Sequence, residues 1–147
     1  MNDTAVSISD KAQLDGLIKT FFNTFNNKNR KQVNLNSIRN ICLIEIVIIK
    51  KSSSSQTVYS LDSFIEPRIK LLTDGTLRDF EEFETEEMTH IFGHIAQRQS
   101  TYQKSGYLND CYFFETGVKL FQFIQTETGW KISSLVWEDD ENPAARM

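Results

Sequence analysis

Between His90 and Tyr102 the chain places the side chains best suited to moving a proton or holding an anion. His94 has the reference pKa of a general acid–base group near neutrality. Arg98, Ser100 and Tyr102 alternate with it, so a single strand over Thr89 to Tyr102 turns all four to one face. On a concave face they form a polar wall with a fixed cation and a phenol. The planar fork of Arg98 suits a carboxylate or other oxyanion. On a convex face the same residues serve cross-strand pairing. The opposite set, Gln97, Gln99 and Thr101, is also polar, so alternation alone leaves the choice open.

His90 and His94 sit four apart, roughly 13 Å along a strand, too far to share a metal ion. On a helix they would lack the glutamate of the HExxH pattern. Glu66-Pro67-Arg68 sits in a short helix, where Glu66 is placed to pair with Arg68 or Arg98 or to reach into a pocket as an acid–base group. Gln122 falls on the Val118 and Leu120 face of a long strand, where a buried amide needs a polar partner and reads as a ligand contact. Trp130 and Trp137 have odd spacing, which puts them on opposite faces of a regular strand, one in the core and the other at an interface or pocket rim.

Other chemistry finds no support. Five glutamates fall between Glu81 and Glu87, a solvated edge rather than an EF-hand, since no Asp/Asn/Gly loop accompanies them. Cys42 and Cys111 fit no metal or redox spacing and read as reduced, semi-buried small hydrophobes. No metal and no cofactor is expected. Glycine-rich phosphate loops are absent from the sequence. The chain has 147 residues, with 16 Lys+Arg against 20 Asp+Glu and net charge -4, which disfavours a nucleic-acid partner. The longest apolar run, Ile41 to Ile49, is interrupted by Glu45 and is too short for a membrane span. The N-terminus lacks a basic segment followed by an apolar one, so no secretory leader and a cytoplasmic location are expected.

The elements that must position these residues follow from periodicity. Leu14, Leu17, Ile18, Phe21, Phe22 and Phe25 recur at helical spacing and predict a helix from Asp10 to Phe25, with Asp10 and Gln13 as a capping pair. A weaker helix is expected over Leu35 to Asn40. Ile41 to Lys50 reads as a strand, Ser52 to Ser55 as a hairpin loop, and Thr57 to Tyr59 as the returning strand. Ser60 or Asp62 caps a third helix through Leu72, with Pro67 setting its first turn or kinking it. Strands are then expected over Leu77 to Glu84, Thr89 to Tyr102, Tyr112 to Thr126 and Trp130 to Trp137. Asp74-Gly75, Ser105-Gly106, Asn109-Asp110 and Thr128-Gly129 supply the turns. The tail from Asp139 to Met147 is acidic and then featureless. Helices early and antiparallel strands late make an α+β order. Long strands with short turns imply a curved sheet around the helices. In the strand from Tyr112, Phe114, Val118, Leu120 and Ile124 line one face while Phe113, Phe121 and Phe123 line the other. A second copy of the chain is the natural cover for the outer face.

That order resembles the NTF2-like superfamily, the cystatin-like cone shared by nuclear transport factor 2, SnoaL-type cyclases, ketosteroid isomerase and scytalone dehydratase. The resemblance runs from Gln13 to Asp140 and makes residues 1–147 one domain with a core over about 10–140. Its details, in SFIEPRIKLLTDGTLRDFEEFE, IFGHIAQRQSTYQKSG and KLFQFIQTETGWKISSLVWEDD, resemble a small bacterial group of uncharacterised members. It implies a conical pocket between helices and sheet, and commonly a homodimer through the outer face. The expected role is binding of a small, anionic molecule. The alternatives are a lyase, isomerase or cyclase working by proton transfer, or a protein-interaction adaptor. The candidate site comprises His94, Tyr102 and Glu66 as acid–base groups, with Arg98, Ser100, Gln122 and Trp137 holding the ligand.

Overall fold

The computed structural model describes residues 8–140. The N-terminal leader reading therefore falls largely, and the end of the acidic tail wholly, outside the described residues. Helix α1 (Asp10–Asn23) is capped by Ser9, whose hydroxyl accepts from the Ala12 amide. That is one residue before the expected capping pair. Leu14, Ile18, Phe21 and Phe22 form its buried stripe. The weak helix is a 3-10 segment, Leu35–Asn40. Strand β1 (Cys42–Lys51) and strand β2 (Gln56–Tyr59) make the expected hairpin. Helix α2 (Leu61–Thr73) begins at a capping box between Ser60 and Ser63 and carries Pro67 in its interior rather than in its first turn.

The remaining strands are β3 (Leu77–Phe92), β4 (Ile95–Leu108), β5 (Cys111–Thr126) and β6 (Gly129–Asp139), of which β3, β5 and β6 are longer than their apolar patterns suggest. Two expectations fail here. The strand read from Thr89 to Tyr102 is a hairpin that turns at Gly93-His94, with Gly93 at φ 63. Ser105-Gly106 lies inside β4 rather than in a turn. Asn109-Asp110 does turn the chain, both residues taking positive φ as a tight hairpin requires.

One sheet results, in the order β2-β1-β6-β5-β4-β3. Every pairing is antiparallel except β1 with β6, which is parallel. The sheet is thus mixed, and its last strand lies inside it. Register shifts interrupt β3 between Arg78 and Glu81 and again between Glu84 and Glu86. Such bulges bend the bulged strand and increase its twist, which curves the sheet. A further shift in β6 leaves Ser133 without a partner between Ile132 and Ser134. That extra residue turns Trp130 and Trp137 to the same face, and both are buried. The expected placement of the two tryptophans on opposite faces fails for this reason.

The helices cover the inner face. Phe21, Phe22, Phe25, Phe64, Phe121 and Tyr102 pack there with ring centroids 5.3 to 6.5 Å apart, mostly edge to face. The outer face keeps large apolar side chains exposed, among them Met88, Phe92, Ile95, Leu120, Ile124 and Val136. The Leu120–Val136 pair and the Ile95–Ile124 pair run across neighbouring strands. In β5 the facing is as the pattern predicts: Phe121 and Phe123 are buried, while Phe114, Leu120 and Ile124 are exposed.

Candidate functional site

Alternation along β4 sends Ala96, Arg98, Ser100, Tyr102 and Lys104 inward. The inner face is thereby assigned to the set containing Arg98. Yet these residues divide into a closed end and an open end. At the closed end, beneath α1, Arg98 is 4% exposed. Its guanidinium donates from Nε at 3.0 Å and Nη2 at 2.6 Å to the two Glu84 carboxylate oxygens, and from Nη1 at 2.6 Å to Asp15 Oδ1. Ser100 donates to the same Glu84. Burial works against the Arg98 charge, but the hydrogen bonds of Glu84 and Asp15 outweigh it and hold the cation more firmly than usual. A fork fully engaged by carboxylates of its own chain has no free edge for a ligand.

Tyr102 is wholly buried, and its hydroxyl donates to Asp139. Burial, then the Asp139 contact, pushes the phenol far above its ordinary pKa. His94 sits in the β3–β4 turn, exposed, with Nδ1 2.8 Å from Gln125 Oε1. It shares no face with Arg98, because the hairpin removes it from the strand. Glu66 is exposed on α2, makes no ion pair with Arg68 or Arg98 among the described residues, and does not line the cavity. Gln122 is exposed on the outer face, where it accepts from Ser134 at 2.9 Å. Of the sequence-derived candidates, Trp137 alone lines the cavity, among the described residues.

The cavity lies at the open end, between α2, α1 and the inner faces of β4, β5 and β6, with a volume of about 690 Å³. That is ample for a small organic molecule. Phe21, Phe25, Tyr59, Phe64, Phe113 and Trp137 give it aromatic walls. Tyr59 and Trp137 stack at 6.0 Å with an interplanar angle of 13°. Lys50, Arg68, Lys104 and Lys119 contribute cations, and Glu82, Glu115 and Asp139 contribute anions.

The cations differ in how fully they are engaged. Lys104 lies 3.0 Å from both Asp139 oxygens and 3.5 Å from Glu115. Burial lowers its pKa, yet the charges of Asp139, Glu82 and Glu115 and the hydrogen bond to Asp139 together outweigh that and raise it. Lys50 lies 3.6 Å from Asp139. Lys119 Nζ lies 2.9 Å from Glu82 Oε2, close enough for an ion pair. The contact is poorly directed, however, since that oxygen completes no hydrogen bond of sound geometry. Burial pushes the Lys119 pKa down, and the Lys104 charge adds to the fall, despite Glu82. Arg68 is half-buried, donates to the Phe64 carbonyl at 3.0 Å and lies 4.0 Å above the Phe64 ring. It makes no ion pair among the described residues.

The sequence held a signal for this end of the site. Lys119 shares odd parity with Phe113 and Phe121, and Lys104 shares even parity with Tyr102. Two lysines on faces otherwise assigned inward mark a charged pocket. Cys111 also departs from expectation: it is exposed at the cavity rim, whereas Cys42 is buried. Among the described residues no cluster of His, Cys, Asp or Glu is suited to a metal, and no helix is long and apolar enough to cross a membrane.

No protein-family model matches the chain, and no curated protein matches it in sequence. Solved structures do match in shape. The Kfla4162 protein from Kribbella flavida superposes with a TM-score of 0.72 at 14% identity, covering 94% of this chain and 97% of its own. A nuclear transport factor 2 (NTF2-like) superfamily protein from Salmonella enterica gives 0.70 at 12% identity, covering 87% and 89%. An uncharacterized protein with a cystatin-like fold from Caulobacter vibrioides gives 0.70 at 12% identity, covering 93% and 94%. With its helices laid on the inner face of a curved six-stranded sheet, the chain has the NTF2-like, cystatin-like fold.

Proposed function

We propose that the chain binds a small organic anion with a flat apolar body in the cavity beneath α2. The observation that carries this reading is Arg68: a cation at the cavity wall, stacked on Phe64 and facing Tyr59 and Trp137, with no carboxylate partner among the described residues. Its guanidinium is therefore available to an incoming carboxylate or similar oxyanion, and the rings take the apolar body. Arg98, expected in this role, is consumed by Glu84 and Asp15.

Isothermal titration calorimetry with benzoate and 2-naphthoate tests the reading. Naphthoate is expected to bind more tightly than benzoate, through its larger apolar area. Arg68→Met should weaken both by about tenfold or more, as loss of a charge-assisted hydrogen bond does. Binding indifferent to Arg68, or none at millimolar ligand, overturns it.

A second proposal concerns the partner. The exposed apolar rows on the outer face, including Leu120 beside Val136, support a homodimer through that face rather than an adaptor surface for other proteins. Sedimentation of wild type against Leu120→Glu tests it: a dimer that the substitution dissociates supports the proposal, and a wild-type monomer overturns it.

A further inference from the structure

Lys119 is a buried amine at the wall of a cavity, and every element around it contributes to its setting. From β3 comes Glu82, 2.9 Å from Nζ. From β4 come the Tyr102 ring, its centroid 3.8 Å away, and the Lys104 charge. From β6 come Trp137, centroid 5.1 Å away, and Asp139, and from α1 comes Phe22 at 5.8 Å. Lys119 and Glu82 both line the cavity, with side chains only 6% and 7% exposed. The pair is thus dry enough to differ from surface lysines and open enough to meet a ligand.

Two features set it apart from a purely structural ion pair. Glu82 Oε2 is buried and completes no hydrogen bond of sound geometry, yet it lies 2.9 Å from the Lys119 amine. The Lys104 cation opposes a second positive charge on Lys119, whereas Lys104 itself is stabilised by Asp139. Two lysines on neighbouring strands of one cavity are therefore pushed in opposite directions. A desolvated lysine beside a second cation is the setting in which an amine becomes a nucleophile.

We propose that Lys119 forms an imine with an aldehyde or ketone whose anionic group is held by Arg68. Both cations flank one ring: Trp137 lies 5.8 Å from the Arg68 guanidinium carbon and 5.1 Å from Lys119 Nζ. A flat molecule carrying an oxyanion at one end and a carbonyl at the other spans them. Glu82 takes a proton from the Lys119 ammonium, and the neutral amine adds to the carbonyl carbon. The C–N bond is made, and a proton passes from the attached nitrogen to the former carbonyl oxygen, giving a carbinolamine with a hydroxyl. Glu82 returns its proton to that hydroxyl, the C–O bond breaks, and one water leaves as the C=N bond forms. No oxidant or reductant enters the step. The inference rests on the anion-binding reading above and adds the chemical class of the ligand.

The test is reductive trapping on the intact wild-type chain, with 4-carboxybenzaldehyde and cyanoborohydride, followed by peptide mapping. Lys119 is expected to be modified about tenfold faster than Lys104 or the exposed Lys70, because burial and the neighbouring Lys104 charge leave more of it as free amine. Arg68→Met should slow trapping of 4-carboxybenzaldehyde and leave that of benzaldehyde unchanged. Glu82→Gln should slow both. Label confined to surface lysines overturns the imine, and terephthalate binding measured alongside then shows whether the anion cavity itself stands. Rapid labelling of Lys119 that ignores Arg68 supports the reactive lysine and overturns the Arg68 anchor.

Discussion

The phenol of Tyr102 fills the space that a side chain at Gly117 would need. The two are cross-strand partners on β4 and β5. A Cβ at Gly117 would overlap the Tyr102 hydroxyl and the Glu138 carbonyl, one a ring terminus fixed by Asp139 and the other backbone. Neither can withdraw cheaply. Gly117→Ala is expected to destabilise the fold by about 1–3 kcal/mol, the usual cost of overpacking a filled site. Chemical denaturation measures it. Restoration of stability in Gly117→Ala/Tyr102→Phe would place the cost on the hydroxyl rather than on the backbone.

Arg98 is expected to matter for stability and not for ligand affinity. Arg98→Ala strands Glu84, whose side chain is 17% exposed, and should cost about 3 kcal/mol or more, because a buried charge loses its partner. Arg98→Met with Glu84→Gln should recover much of that loss. Calorimetry on the double variant with 2-naphthoate should match wild type; a fall in affinity of tenfold would return Arg98 to the binding site.

Acid and alkali should act on one ion pair from opposite sides. Burial would raise the Asp139 carboxyl, but the Lys104 charge and the hydrogen bonds from Tyr102 and Lys104 hold it below its ordinary 3.8. The unfolded chain therefore binds the proton more readily. The stability this contributes is complete above about 3.8 and is lost as pH falls through the lower folded value. Lys104 is held above 10.5, so its share is complete below that pH and is lost as pH rises through the higher folded value. Urea midpoints measured across both limbs check this. Asp139→Asn should flatten the acid limb in particular, and an unchanged profile would contradict the assignment.

The cysteines should separate cleanly under a thiol reagent. Cys111 is exposed at the cavity rim. Cys42 is buried, and burial pushes its thiol up to about 12. In native protein Cys111 alone is expected to react, Cys42 following only in denaturant. Benzoate should slow the Cys111 reaction by filling the cavity beside it; equal rates with and without benzoate would count against the rim position.

His94→Ala should leave stability within about 0.5 kcal/mol of wild type and ligand affinity unaltered, as expected for an exposed turn residue. Loss of binding in that variant would restore the acid–base role assigned to it from spacing.

Much of the fold is legible in the apolar periodicity, because burial is what that pattern records. The stripe of α1, the β1–β2 hairpin and the two faces of β5 follow from it directly. The site is less legible, because its geometry depends on where strands bend and turn. One positive-φ glycine, Gly93, takes His94 off the strand it was assigned to, and one unpaired residue, Ser133, brings Trp130 and Trp137 to the same side. Neither carries a composition signal as strong as the runs around it. Lys104 and Lys119 were visible by parity, but a charged residue on an inward face looks like an exception until its carboxylate partners are placed. Glu82 and Asp139 come from strands far away in sequence.

The parallel pairing of β1 with β6 has a consequence for how the chain comes together during synthesis. Residues 129–139 leave the ribosome after every other described strand, yet they bridge the two halves of the sheet. Until then the early hairpin has no neighbour to hydrogen-bond, and the three-stranded meander β3–β5 keeps an open edge at β5. Stopping the chain before Gly129 leaves two pieces with complementary exposed edges, the condition under which strand exchange between molecules competes with folding. The strand made last is therefore the one whose arrival closes the sheet.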